Sequence, residues 1–338
     1  MKSLTTTQIE TIVKNKDIYA VASAIKNCSL VLTKKGRPWA ISGGQCRVYK
    51  VIDGQGQDKA LRLWNNTLGD IEKRCCEIST FFSAHNNKYL LDFEYIEKAF
   101  QYNGETYPAI LMDWCSGKSL KAYVQDHLYE KDVLRTLQEN LMEMFDGLHN
   151  MHISHGDLHH DNIRVGTDGD LYLIDYDSVY VPNLHGYTDE CAGYDGYQHP
   201  TARVNNKYLS EFVDYFSELI IYLSIEALIE EPSIWQTYKI EERDQSFLFL
   251  KTDFFTLNKT SIYKLLSNKT KRLSELFKIL ELYLAEKDIS SLKNMRELSN
   301  ELNFSLFDMI SKFCINCGQE FLDSADVFCI NCGCKRML

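Results

Sequence analysis

Apolar residues recur at helical spacing near the start of the chain, at Ile9, Ile12 and Val13 and then at Ile18, Val21 and Ile25, and predict a short helical extension over residues 1–35. From Pro38 the period changes to that of strands. Residues 38–44, 47–53 and 59–64 read as three strands, with a turn at Gly54 to Gln57 between the second and third. A helix is expected over 69–84, two more strands over 90–100 and 107–114, and a helical pattern after Ser116-Gly117. Val133, Leu134, Leu137, Leu141, Met144, Phe145 and Leu148 mark a long amphipathic helix over 130–152. It runs directly into a polar loop carrying Asp157 and Asn162. After a turn at Gly166 to Gly169 comes a short alternating strand (Leu171, Leu173, Ile174) that ends on Asp175. Periodicity is then lost through a Gly-, Pro- and Tyr-rich stretch to Pro200, a length of loop that is usually functional. Apolar helices resume with Phe212, Phe216, Leu219, Ile220 and Leu223, and again over 234–305. Strands early and helices late place the chain in the α+β class.

A length of 338 residues allows about two domains, and 45% hydrophobic with 25% charged residues is ordinary for a globular protein. The formal charge of -10 and a pI near 5.4 argue against binding a phosphate backbone, so no nucleic-acid partner is expected. The N-terminal residues have no apolar run of signal-peptide length, and nowhere are there the roughly eighteen consecutive apolar residues of a membrane span. A cytoplasmic location without a membrane partner is the expectation. Of eleven cysteines, Cys28, Cys46, Cys75, Cys76, Cys115 and Cys191 are dispersed and read as packing residues. The other five crowd between 314 and 334. Cys314-x2-Cys317 and Cys329-x2-Cys332, each pair followed by glycine, supply four thiolates in the spacing of a structural Zn2+ site, with Cys334 spare. The metal would fold a ribbon over 312–336 that is too small to fold alone; a redox role for the two pairs is the rival reading.

The stretch from His155 to Ser178 carries the candidate chemistry. Asp and Asn are common turn formers, and any one of Asp157, Asn162 and Asp175 alone could be no more than that. Together they suit phosphoryl transfer, in which a carboxylate takes the proton of an incoming hydroxyl while an amide oxygen and a second carboxylate hold Mg2+ on the phosphates. The run HGDLHHDN (155–162) resembles the catalytic loop HRDLKxxN of the protein-kinase-like superfamily, and Asp175-Tyr176-Asp177 resembles its DFG, at matching spacing. The resemblance implies that Asp157 is the base, that Asn162 and Asp175 are the Mg2+ ligands and that ATP is the phosphate donor.

The same resemblance extends over residues 38–305. Gly43 and Gly44 stand where a phosphate-covering hairpin would be; aligned on Val48, the pattern GxGxxGxV keeps only Gly43, with Ile41 and Cys46 at the other two glycine positions. Lys59-Ala60-Leu61-Arg62 stands where the family has VAIK, so Arg62 replaces the lysine that contacts the α and β phosphates, with Glu77 as its expected helix partner and Glu72 as the alternative. Met112 would guard the nucleotide pocket, and backbone groups of Asp113 and Cys115 would meet adenine. Val213 to Ser217 resembles the DxWS motif, which implies that Asp214 is a buried anchor for the catalytic-loop backbone and sets the chain apart from aminoglycoside-type small-molecule kinases.

The implied architecture is a two-lobed protein-kinase-like fold: the extension over 1–35, a small antiparallel β lobe over 36–114, a helical lobe over 115–305 and the zinc ribbon. The run LIDYDSVYVPNL with the later GYQHP is similar to bacterial kinase-like proteins that carry zinc ribbons, some associated with von Willebrand A-type and phosphatase partners. The expected activity is that of an atypical serine/threonine protein kinase acting on a protein substrate or signalling partner. Arg62 and the missing glycines support an alternative, a pseudokinase scaffold or nucleotide-binding signalling module. A small-molecule kinase is the third reading.

Overall fold

The computed structural model describes residues 3–42, 46–65, 70–85, 87–189, 193–304, 306–307, 328–331 and 333. The first part of the chain builds a sheet ordered β1 (Ser29–Leu30), β3 (Cys46–Ile52), β4 (Asp58–Trp64), β6 (Glu105–Asp113), β5 (Phe93–Tyr102), with β2 (Ala40–Ser42) also paired to β3. All its pairings are antiparallel. Asn103 and Gly104, both at positive φ, close the β5–β6 hairpin; an Asn-Gly pair tolerates the left-handed turn such a hairpin favours.

Because side chains alternate along a strand, the register divides this sheet into two apolar faces. Val48 opposite Arg62, Arg62 opposite Ile110 and Ala60 opposite Met112 form the inner face, which joins the main core of the molecule. Tyr49, Val51, Leu61, Leu63 and Leu111 form the outer face, and helix α1 (Thr6–Lys14) lies over it with Ile9, Ile12 and Val13 fully buried. A capping box between Thr5 and Gln8 starts that helix. Residues 3–35 pack onto the lobe: their helix covers one face of the sheet and their strand β1 lengthens it. Val21 lies outside any helix, and Ile18 lies in the one-turn helix Lys16–Tyr19. Ile18 is 75% and Val21 48% exposed, because the long helix ends at Lys14 and the one-turn helices that follow, Lys16–Tyr19 and Ser23–Lys26, do not continue its buried face.

Helix α2 (Asp70–Ala84) packs beside β5, and its buried residues are Arg74, Cys75 and Ile78. The second part is helical, apart from a small sheet β7 (Lys118–Ser119), β8 (Ile163–Val165), β9 (Leu171–Leu173). Helix α3 (Lys131–Asn150) buries one face through Leu134, Leu137, Leu141, Met144, Phe145 and Leu148. Helix α4 (Tyr215–Glu230) is buried on every side up to Ile229 and is the axis of this lobe; a helix without a polar face belongs in a core. Helices α3 and α5 (Lys271–Ala285) flank it. The lobes join where Leu173 N–H donates to Tyr89 O (2.8 Å) and Leu90 bridges Leu173. Among the described residues no helix is long and apolar enough to cross a membrane.

Of the cysteines expected to bind zinc, Cys314, Cys317 and Cys332 lie outside the described residues, as do Gly43 and Gly44; Cys329 is described and buried.

Candidate active site

Three elements meet at the junction of the lobes: the loop after α3, the end of β9 and the inner face of the sheet. The loop owes its shape to one glycine. Gly156 has φ +78°, a region L side chains rarely adopt, and a Cβ there would stand 2.1 Å from Ser178 O. Its N–H donates to Asp214 Oδ1 (3.0 Å), and His155 N–H donates to Asp214 Oδ2. Asp214 stands just ahead of α4 and is 3% exposed. Burial pushes its carboxyl pKa up, opposed by His155, Arg203 and the two amide bonds. A buried carboxylate held by two amides is a rigid peg for the loop.

The peg presents Asp157. Burial raises the pKa of its carboxyl, but His159, whose Nε2 lies 3.6 Å from Oδ2, together with His155 and Arg203, outweighs that and leaves it below the ordinary aspartate value. Asp157 stays ionised near neutral pH, and its Oδ1 is buried with no hydrogen-bond partner. An orphaned carboxylate oxygen is costly unless something else uses it. Asn162 is 6% exposed, and its Nδ2 donates to Asp157 O (2.9 Å). Its carbonyl takes Ile174 N–H (3.0 Å), which ties the loop to the end of β9.

Asp175 follows in a left-handed conformation, φ +66° and ψ 75°, unusual for a residue with a side chain. More than half of its side-chain surface is open, yet it lies in a crowded cleft: burial first, and the Asp177 charge second, raise its pKa against the pull of Arg62. Between them Tyr176 turns inward and is 2% exposed. Its hydroxyl donates to Leu173 O (2.7 Å) and accepts from Leu91 N–H (2.8 Å), and its ring meets Phe82 of α2 (5.1 Å) and Phe93 of β5 (5.5 Å) edge-on. One aromatic side chain thus locks the sheet, α2 and the end of β9 together.

Arg62 reaches into the same cleft from β4, but its partner differs from the expected one. Its guanidinium forms a two-pronged pair with Asp177, Nη1 donating to Oδ1 (2.5 Å) and Nη2 to Oδ2, and Nη1 lies 3.7 Å from Asp175. Burial works against the charge of Arg62 and the two aspartates override it, so its pKa is raised. Glu77 instead accepts from Asn183 Nδ2 (2.9 Å), and Glu72 lies beside Tyr95. The reason is register. α2 turns Arg74, Cys75 and Ile78 inward, which leaves Glu77 at the side facing Asn183, while Asp177 offers Arg62 a carboxylate shaped to its planar fork. Asp177 stands where the resembled motif has glycine, so its position was visible in the sequence although its role was not.

On the sheet side, Val48 pairs with Arg62, and Met112 sits half-buried between Ala60 and Phe93. The Asp113 side chain pairs with Lys59, and its N–H donates to Asp92 O (3.1 Å), so that N–H is already engaged; Cys115 is half-buried. Sequence reasoning passed over His159, whose ring stacks on Tyr194 (4.1 Å) and stands 3.0 Å from Asn162 Nδ2. Burial holds the pKa of the adjacent His160 down to about 3, and its Nδ1 bonds the Tyr197 hydroxyl.

Among the described residues no group of three or more His, Cys, Asp and Glu could enclose a metal by itself. Mg2+ takes hard oxygen ligands and is commonly held by one or two protein groups together with substrate phosphates. The Asn162 amide and the Asp175 carboxylate carry oxygen donors of that hard type and could hold such an ion.

A family model described as Protein kinase domain matches residues 42–301. Among curated proteins the chain is similar to Sperm motility kinase Tcr mutant form of Mus musculus, 38% identical over 68 residues. It is also similar to Sperm motility kinase 2B of the same organism, 37% identical over 68 residues. In each case the match spans 20% of this chain and 14% of the relative's length.

Proposed function

The chain belongs to the protein kinase domain family, and from that premise we propose that it transfers the terminal phosphate of ATP to a serine or threonine hydroxyl of a protein. The observation that carries this reading is Asp157: an ionised carboxylate with a buried, unpartnered oxygen, on a loop pegged by Asp214 and tied through Asn162 to Asp175. Asp157 aligns the hydroxyl and takes its proton late, as the hydroxyl oxygen bonds the γ-phosphorus and the bond from that phosphorus to the bridging oxygen breaks, which leaves ADP. Asn162 and Asp175 would hold Mg2+, which supplies charge neutralisation on the phosphates when bound. Arg62, freed from Asp177, would face the same phosphates. The low pKa of Asp157 limits its strength as a base and favours a role in aligning the hydroxyl, which suits a transition state that needs little proton removal.

One observation favours a second reading, nucleotide binding without transfer: Asp177 engages both terminal nitrogens of Arg62, so an incoming phosphate must compete for them. A structural zinc at Cys314, Cys317, Cys329 and Cys332 is also part of the proposal and rests on their spacing.

The test is incubation with labelled ATP and Mg2+ and generic protein substrates, beside a calorimetric titration of nucleotide. Wild type is expected to transfer phosphate, and Asp157→Asn to bind nucleotide normally while transferring about a hundredfold more slowly. Equal rates for the two proteins defeat the role of Asp157. Binding without transfer selects the second reading.

A further inference from the structure

A glycine immediately before the base gives the catalytic loop a freedom that the reaction must remove. The N–H of Gly156 is held by Asp214, and its carbonyl is held from the opposite direction: Arg203 Nη2 donates to Gly156 O at 2.9 Å. Arg203 lies in the short helix Ala202–Asn205, only 7% exposed. The same Nη2 is 2.7 Å from Asp189 Oδ2, a carboxylate whose side chain is 3% exposed. Both peptide planes flanking Gly156 are therefore fixed by buried charges, one from α4 and one from beyond the loop that follows Asp175.

The neighbourhood of Asp189 is itself pinned. Asp189 N–H donates to Lys207 O (3.0 Å), Thr188 bridges Tyr208, and Thr188 O accepts from Arg74 of α2. Two adjacent residues thus receive contacts from the small lobe and from the helical lobe, and Arg203 passes their position to the catalytic loop. Segments of this kind are often ordered by a phosphate that pairs with arginine. Here the arginine is already neutralised by a carboxylate of the chain, out of solvent.

We infer that Arg203 is a positioning residue for the catalytic loop and that Asp189 is its built-in counter-ion, so that the loop is set without phosphorylation of the segment between Asp175 and Pro200. The effect on turnover rests on the phosphotransfer reading above; the clamp on Gly156 does not. A desolvated pair of this type holds its geometry, because freeing one charge leaves the other buried and uncompensated. Arg203→Lys keeps the charge but replaces a rigid fork with a single flexible donor.

The experiment compares full-length wild type, Asp189→Asn, Arg203→Lys and Arg203→Ala by hydrogen exchange and by steady-state transfer. Exchange of peptides spanning 153–162 is expected to accelerate about tenfold in Asp189→Asn and Arg203→Ala while α4 stays protected. Turnover is expected to fall about tenfold or more with the KM for ATP within about twofold, and Arg203→Lys to recover part of both losses. Phosphatase treatment of wild type should leave turnover within about twofold, since no phosphate is needed. Unchanged exchange at 153–162 in Asp189→Asn and Arg203→Ala overturns the inference. So does acceleration spread evenly over the whole chain, which would mark a merely structural pair, or loss of activity on phosphatase treatment. If wild type transfers no phosphate, the phosphotransfer reading fails and the exchange data alone decide the clamp.

Discussion

Replacing Asp177 by asparagine keeps the shape of the side chain that grips Arg62 and removes its charge. The Arg62 side chain is 11% exposed and that of Asp177 is 46% exposed, so the pair lies between two limits. Removing one partner of a buried pair costs about 3–5 kcal/mol, whereas an exposed pair contributes about 0.2–1 kcal/mol. With one partner half in water and a two-pronged geometry, we expect an interaction energy of about 2 kcal/mol between the two side chains. A double-mutant cycle in urea, using wild type, Asp177→Asn, Arg62→Ala and the double variant, measures it directly. An interaction energy below about 0.5 kcal/mol, the usual error of additivity, refutes the reasoning. The same substitution releases Arg62 toward any anionic ligand, so calorimetry should find nucleotide bound more tightly by Asp177→Asn than by wild type.

Gly156→Ala places a side chain at φ +78° with its Cβ against Ser178 O, and should cost at least about 2 kcal/mol in thermal or chemical denaturation; a wild-type midpoint would count against the loop geometry. His149 Nε2 lies 2.9 Å from Glu218 Oε1. Burial lowers the imidazole pKa, but Glu218 overrides it and leaves the pKa above the ordinary 6.5. A raised histidine pKa contributes stability that is fully present below the ordinary value and is lost as pH rises through the folded value. The stability deficit of His149→Gln should therefore shrink as pH rises above the ordinary 6.5, and a deficit that grows with pH over that range rejects the pair. Metal analysis of protein purified without chelator should return one zinc per chain, lost in Cys317→Ser, while the melting of the kinase domain is unchanged. Zinc-free wild type would remove the ribbon from the proposal.

Period and spacing along the chain carried much of the molecule. The switch from period two to helical spacing located β2 to β6, α2 and α3 to within a few residues, because which residues face a core is a local property once the element type is set, whereas β1 fell inside the stretch read as helical. The loop spacing between Asp157, Asn162 and Asp175 singled out the site, since short turns hold residues close in sequence close in space. Asp214 was legible as a buried acid from its apolar neighbours, and the structure gives its partners as two loop amides.

What the sequence left open was partner choice across long separations. Arg62 had glutamates on the next helix and an aspartate 115 residues away, and only the rotation of α2 and the approach of the segment after β9 selected Asp177. The first 35 residues gave apolar spacing without showing that the outer face of the sheet was their target. Arg203 and Asp189 sit in a stretch without period, where no local rule marks a residue as buried. Their pairing exists because the fold removes both from water, and a charge taken out of water must find its opposite wherever the chain has left one.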